Sequence, residues 1–298
     1  MKPSPLNTSP CSISLLFSSS AVLLALTYLL LRPNYSLFST TCTTTHSSPA
    51  ANSSTIPSFR LLIGIQTIPE KFARRHLIRH VNSLQPSHSA LVDIRFVLCN
   101  LTREDHAVFV ALEIMHYNDI IILNCTENLA DGKTYTFFST LPRLFRDEPY
   151  DYVMKADDDI YFRLDKLVES LKGKAREDVY YGLGLPFQNR EFPPFMVGFG
   201  YILSWDLVEW ISTSEITREH ANGVEDLLTG RWLDMGRRGR NRYNTYPAMY
   251  DYKGPNQEDF REDTIGVHQL KDDLTWARTL KHFNVTQGLK PSQLYHIP

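Results

Sequence analysis

The chain has 298 residues and a formal net charge of −2, and it is 43% hydrophobic, 21% charged and 12% aromatic. These values describe a globular protein and exclude collagen-like, coiled-coil and wholly disordered chains. The near-neutral charge argues against a nucleic-acid binder that works through bulk charge, and four Cys do not make a disulfide scaffold.

The averages conceal an asymmetry. Residues 1–58 contain no Asp or Glu, and their only basic residues are Lys2 and Arg32, so every acidic residue lies in 59–298. Residues 12–31 (SISLLFSSSAVLLALTYLLL) are uncharged over a length that, as a helix, crosses a bilayer core. A cleaved signal peptide is the alternative, but the run ends Tyr-Leu-Leu-Leu-Arg-Pro without a small-x-small exit. The expected organisation is a cytoplasmic tail over 1–11, a transmembrane signal-anchor over 12–31, a Ser/Thr-rich stem over 32–58 and a lumenal catalytic domain over 59–298. Lys2 and Arg32 flank the span almost evenly, so the positive-inside rule is weak here. The lumenal side is favoured instead by the stem, which cannot bury a core, and by sequons at Asn34, Asn52, Asn100, Asn124 and Asn284.

In the body, short apolar runs alternate with helical periods. Strands are predicted over 60–65, 94–98, 120–123 and 152–155, with helices over 70–83, 103–116 and 132–146 between them. That alternation implies parallel strands joined by right-handed crossovers, in a nucleotide-binding type of α/β sheet whose ligands sit at the carboxyl ends of the strands. A helix beginning at 165 follows, then strands over 179–182 and 197–203, a helix over 205–212 and another over 224–233. Residues 235–246, rich in Gly, Arg and Asn, read as a loop. Cys99 and Cys125 each end an apolar run. If those runs are neighbouring parallel strands a disulfide is feasible, and two buried thiols are the other reading.

The segment YVMKADDDIYF (152–162) runs a strand straight into Asp157, Asp158 and Asp159. Three successive acids repel one another, and a hard divalent cation would offset that cost; a solvated acidic turn is the plain alternative. Glu225-Asp226 opens a predicted helix, either to suit its dipole or to hold a general base. His268 in GVHQL is a candidate nitrogen ligand, or a structural histidine. Gly132-Lys133-Thr134 lacks the earlier glycine of a P-loop, and H-E-x-x-H, C-x-x-C and G-x-S-x-G are absent from the sequence.

Taken in order, ARRHLIR (73–79), ENLADGKTYTFF (127–138), the Asp157–Asp159 block, FPPFMVGFGYILS (192–204) and GVEDLLTGRWL (223–233) resemble glycosyltransferase family 31. The likeness is to the β-1,3-galactosyltransferase-like hexosyltransferases, particularly plant members. The resemblance implies a GT-A-type, Rossmann-like mixed sheet flanked by helices, an N-terminal transmembrane helix and a single-pass type II place in the Golgi membrane. It also implies a UDP-sugar donor, Mn²⁺, a glycan or glycoprotein acceptor, and transfer of a sugar, galactose being expected, with inversion in β-1,3 linkage. Carried over by residue, Asp159 and His268 are expected to bind the metal and Asp226 to act as base. Asp157, Asp158, Gly198 and Tyr201 are expected near the donor, and Arg74, Arg75, Arg79, Lys133 and Lys155 near it or in its support. The chain departs from the animal pattern at His80-Val81 and at Leu227, positions that bear on acceptor and fine donor contacts. A non-catalytic relative acting as a scaffold and a metal-dependent phosphohydrolase are the readings outside transfer.

Overall fold

A computed structural model describes residues 57–85, 89–254 and 260–285. The tail expected over 1–11, the anchor over 12–31 and the stem up to residue 56 lie outside the described residues. Among those described, no helix is long and apolar enough to cross a membrane.

The first half follows the alternation seen in the sequence. Strand β1 (Arg60–Gln66) leads to helix α1 (Phe72–Ser83), β2 (Leu91–Leu98), α2 (Glu104–Tyr117), β3 (Ile120–Ile122), α3 (Lys133–Leu144) and β4 (Tyr152–Asp157). β1 pairs in parallel with both β2 and β4, and β2 pairs in parallel with β3. The second half comprises β5 (Tyr161–Phe162), α4 (Leu164–Leu171), β6 (Val179–Leu185), β7 (Phe195–Ser204), α5 (Trp205–Thr213), α6 (Glu215–Glu219), α7 (Glu225–Gly236), β8 (Asn241–Asn244), β9 (Met249–Asp251), β10 (Gly266–His268) and α8 (Asp273–His282). β7 runs antiparallel between β4 and β6, which makes a mixed seven-stranded sheet of order β3-β2-β1-β4-β7-β6-β8.

Period-two alternation builds an apolar layer on each face of this sheet. Leu61, Ile63 and Ile65 of β1, with Tyr152 and Met154 of β4, join the layer that contains Leu164, Leu167, Val168 and Leu171 of α4. The intervening Leu62 and Val153 join Phe137, Phe138 and Leu141 of α3 on the other face. The spacing of the α4 residues is one helical stripe, so this short helix lies flat against the sheet.

Two expectations change. Residues 235–246 are not one loop: α7 continues to Gly236, and Asn241–Asn244 form β8, parallel to β6. The strand is masked in sequence by Arg242, which is buried because its guanidinium donates to the carbonyls of Gly239, Pro193 and Pro194 and pairs with Asp234. Second, β5, β10 and β9 make a separate three-stranded sheet that the sequence did not announce. Cys99 and Cys125 are joined in a disulfide, across Cα atoms 5.0 Å apart.

Candidate active site

The parallel strands and β6 end at the same edge, and β4 delivers Asp157, Asp158 and Asp159 there. β5 follows the acids at once and pairs antiparallel with β10, Val267 opposite Tyr161. That register brings His268 beside Asp159, with Nε2 3.2 Å from Asp159 Oδ1 and 4.0 Å from Asp157 Oδ2. One ligand atom from each of Asp157, Asp159 and His268 lies within 4.8 Å of the others. The imidazole is fixed from both sides: Nδ1 is 2.7 Å from Asp251 Oδ1 at the end of β9, and the ring stacks on Phe199.

Electrostatics favour the ionised carboxylate. Burial works to raise the Asp159 pKa, but hydrogen bonds from His268 and Lys271 outweigh it and hold the group below the ordinary carboxylate range. Two carboxylates and an imidazole nitrogen are donors that divalent cations accept, so these residues fit a divalent metal ion.

Asp158 faces the other way. Its carboxylate accepts from Thr67 Oγ1 and Lys71 Nζ, each at 2.7 Å, and its carbonyl accepts from Arg74 Nη1. Arg74 also donates to the carbonyls of Leu270 and Lys271, which ties α1 to the chain just after β10. Lys133, at the start of α3, is buried; it donates to the carbonyl of Thr67 and pairs with Glu127. Burial pulls its pKa down, with Glu127 opposing. Thr67, Lys71, Glu127, Lys133 and the three acids line a cleft of about 240 Å³.

On the β7 side, Lys155 Nζ lies 2.8 Å from Asp157 Oδ1, 3.0 Å from Glu225 Oε2 and 2.5 Å from the carbonyl of Gly198. Burial would lower the Lys155 pKa, but Glu225 and Asp157 together raise it, so the ammonium is a fixed cation. Burial pushes Glu225 up to about 7. Asp226, at the first turn of α7, is partly exposed and lies against Gly198, where a β-carbon would sit 2.0 Å from its Oδ1. Only glycine allows β7 and this carboxylate to approach so closely.

The other expected residues lie farther back. Tyr201 is buried, and its hydroxyl donates to Glu225 Oε1 and contacts Thr229. Arg75 makes a buried two-point pair with Glu113 and donates to the carbonyls of Ile68 and Pro69, fixing the turn after β1 that lines the cleft. Arg79 pairs with Asp119 and Glu113. Sequence reasoning missed Thr67, Lys71, Asp251 and Lys271. Asp251 carried no local signal, because only the β9–β10 register places it behind His268.

The sequence matches the family described as Galactosyltransferase over residues 73–188. It is 28% identical to beta-1,3-galactosyltransferase pvg3 of Schizosaccharomyces pombe over 72% of this chain and 71% of that protein. It is 33% identical to a probable beta-1,3-galactosyltransferase of Arabidopsis thaliana over 40% of this chain and 37% of that protein. The chain is a family-31-like glycosyltransferase. It also resembles beta-1,3-galactosyltransferase 6 of Mus musculus, at 26% identity over 49% of the chain and 50% of that protein, so it spans half or less of these last two relatives. A crystal structure of the galactosyltransferase LgtC with donor and acceptor sugar analogs is 13% identical, covering 78% of this chain and 97% of that one, with a TM-score of 0.45.

For a glycosyltransferase the arrangement divides cleanly. One side of Asp157 offers cations and a hydroxyl in a cleft, and the other offers a carboxylate on a glycine wall.

Proposed function

We propose that the chain is an inverting, Mn²⁺-dependent hexosyltransferase with a GT-A-type fold, which transfers galactose from UDP-galactose to a glycan or glycoprotein acceptor in β-1,3 linkage. The observation that carries this reading is the position of Asp157, Asp159 and His268 at the carboxyl end of β4, with Asp226 across Gly198. The similarity to beta-1,3-galactosyltransferases supports galactose and the β-1,3 linkage.

Asp157, Asp159 and His268 would hold the metal, and Asp251 would keep the imidazole turned toward it. When bound, the cation supplies charge neutralisation for the departing diphosphate. Lys133 and Lys71 add positive charge to the cleft that would receive the nucleotide. Asp226 would take the proton of the acceptor hydroxyl while that oxygen attacks the anomeric carbon and the bond to the diphosphate oxygen breaks. One base and one displacement invert the anomeric centre, whereas retention by double displacement needs a nucleophile as well.

We place the catalytic domain on the lumenal side of the Golgi membrane, behind the anchor over 12–31. The Cys99–Cys125 disulfide supports an oxidising compartment.

The test is turnover. The full-length chain is incubated with a panel of UDP-sugars, with β-galactoside acceptors or none, in Mn²⁺ or EDTA. Metal-dependent, acceptor-stimulated UDP release from UDP-galactose, with a β-1,3-linked product, is the expected result. Acceptor-independent hydrolysis alone would support the phosphohydrolase instead, and UDP binding without turnover the silent relative.

A further inference from the structure

Three aromatic side chains stand exposed at the edge of the sheet that carries the candidate site, and nothing above uses them. Phe187 and Phe192 lie in the connection from β6 to β7, and Tyr246 lies two residues beyond β8. Phe187 is 49% and Tyr246 42% exposed, yet their ring centroids are 5.3 Å apart. Arg190 covers part of Tyr246, its Cζ 4.8 Å from the ring centroid.

The chain holds these rings in place. Asn189 clamps the connection by donating to the carbonyl of Phe192 and accepting from its amide, and the Asn189 amide donates to the carbonyl of Pro186. Asn244 Oδ1 accepts from the amides of both Gly184 and Tyr246, which ties the end of β6 to the start of the Tyr246 turn. Rigid, half-exposed aromatic rings present apolar area to a ligand at little further ordering cost.

Topology decides the side they serve. β6 and β8 run parallel to β4, so their carboxyl ends share the edge that carries Asp157. The nucleotide cleft extends from Asp157 toward β1 and α3, whereas Phe187 and Tyr246 follow β6 and β8, in the opposite direction along the sheet, beyond the β7 strand that carries Gly198. From β7 to β8 is two strand spacings, ~10 Å. Gly198 of β7 touches Asp226, so a chain of sugars leading from that strand to β8 spans about the length of a disaccharide, more than a single ring covers.

We propose that Phe187 and Tyr246 form a stacking platform for the second pyranose of a saccharide acceptor, the ring next to the one whose hydroxyl faces Asp226. The C–H face of a β-galactoside suits the electron-rich face of an aromatic ring, and Arg190 offers donors to the hydroxyls at its rim. The inference rests on the transferase reading and assigns the part of the site that would select longer acceptors.

The test reads binding directly, so it does not depend on turnover. The full-length chain, with UDP and Mn²⁺ present, is titrated with β-1,3-linked galactobiose and with methyl β-galactoside, and binding is read by saturation-transfer NMR. Phe187→Ala and Tyr246→Ala should each raise the galactobiose Kd about tenfold, a plausible effect for one lost stacking contact. The methyl β-galactoside Kd should move less than about twofold, and Phe187→Trp should keep the native galactobiose Kd. Native-like thermal melting of each variant establishes that it is folded. Equal shifts for both sugars, or no shift at all, would overturn the platform. Absence of turnover with every UDP-sugar, while galactobiose still binds as described, would instead count against the transferase reading.

Discussion

The ammonium of Lys155 lies 3.0 Å from the Glu225 carboxylate while also touching Asp157 at 2.8 Å. A single buried cation therefore joins the acid block of β4 to the first turn of α7, where Asp226 stands. Removing it leaves two carboxylates without their partner in a buried setting. Lys155→Met is expected to destabilise the fold by about 3–5 kcal/mol, read by urea denaturation. Stability within about 1 kcal/mol of native would show that the bridge is dispensable.

The pH dependence of stability should carry the mark of Glu225. Burial pushes its pKa to about 7, against Lys155 and with Asp226, whereas its ordinary value is 4.5. Between those values the folded chain keeps a proton that the unfolded chain releases, so stability falls as pH rises through this window and levels off above about 7. The size is about 3 kcal/mol. Asp159 acts elsewhere: its pKa is lowered from 3.8, so its contribution is present above that value and lost as pH falls below it. Glu225→Gln should flatten the slope between pH 5 and 7 in denaturation curves, and an unchanged slope would assign it to another group.

Gly198 makes a sharper case. A β-carbon there would lie 2.0 Å from Asp226 Oδ1 and 2.5 Å from Glu225 Oε2. Gly198→Ala must displace Asp226, the proposed base, and a shift of about 1 Å lowers rate by about 100-fold. We expect kcat to fall by that order while metal-dependent UDP affinity stays within about threefold. A near-native kcat would remove Asp226 from the role of base.

The disulfide closes a loop between positions 26 apart in sequence. Constraining a loop of that size in the unfolded chain stabilises the fold by about 3 kcal/mol. Cys99→Ser with Cys125→Ser should lower the melting temperature by several degrees, and reductant should do the same to the native chain alone. A variant insensitive to the change, with a native chain equally indifferent to reductant, would contradict the bond.

How far the sequence reveals this site varies residue by residue. β1 to β4 were legible because apolar runs alternate with helical periods, and β1 and β4 are buried on both faces. The acid block was legible because three like charges at a strand end need a counter-charge. His268 was a candidate ligand by its residue type and by the resemblance, but its local sequence left a structural role open; the antiparallel pairing of β10 with β5 brings it to Asp159. β8 was hidden because Arg242 is polar and yet buried, satisfied by carbonyls distant in sequence. Arg75 and Arg79 were expected by motif near the donor or in its support; Arg75 is on the inner face of α1 with Ile78 and Val81, and both arginines are held by Glu113.

Asp157, Asp159 and His268 are proposed to hold a divalent cation that brings UDP to the cleft. The most direct measurement is calorimetric titration of the full-length chain with UDP, in Mn²⁺ and in EDTA, beside Asp159→Asn and His268→Ala. The account predicts that UDP binds the native chain tightly in Mn²⁺ and at least tenfold more weakly in EDTA, and that both variants bind it weakly in either condition. Equal UDP affinity with and without the metal, or native affinity in both variants, would contradict it.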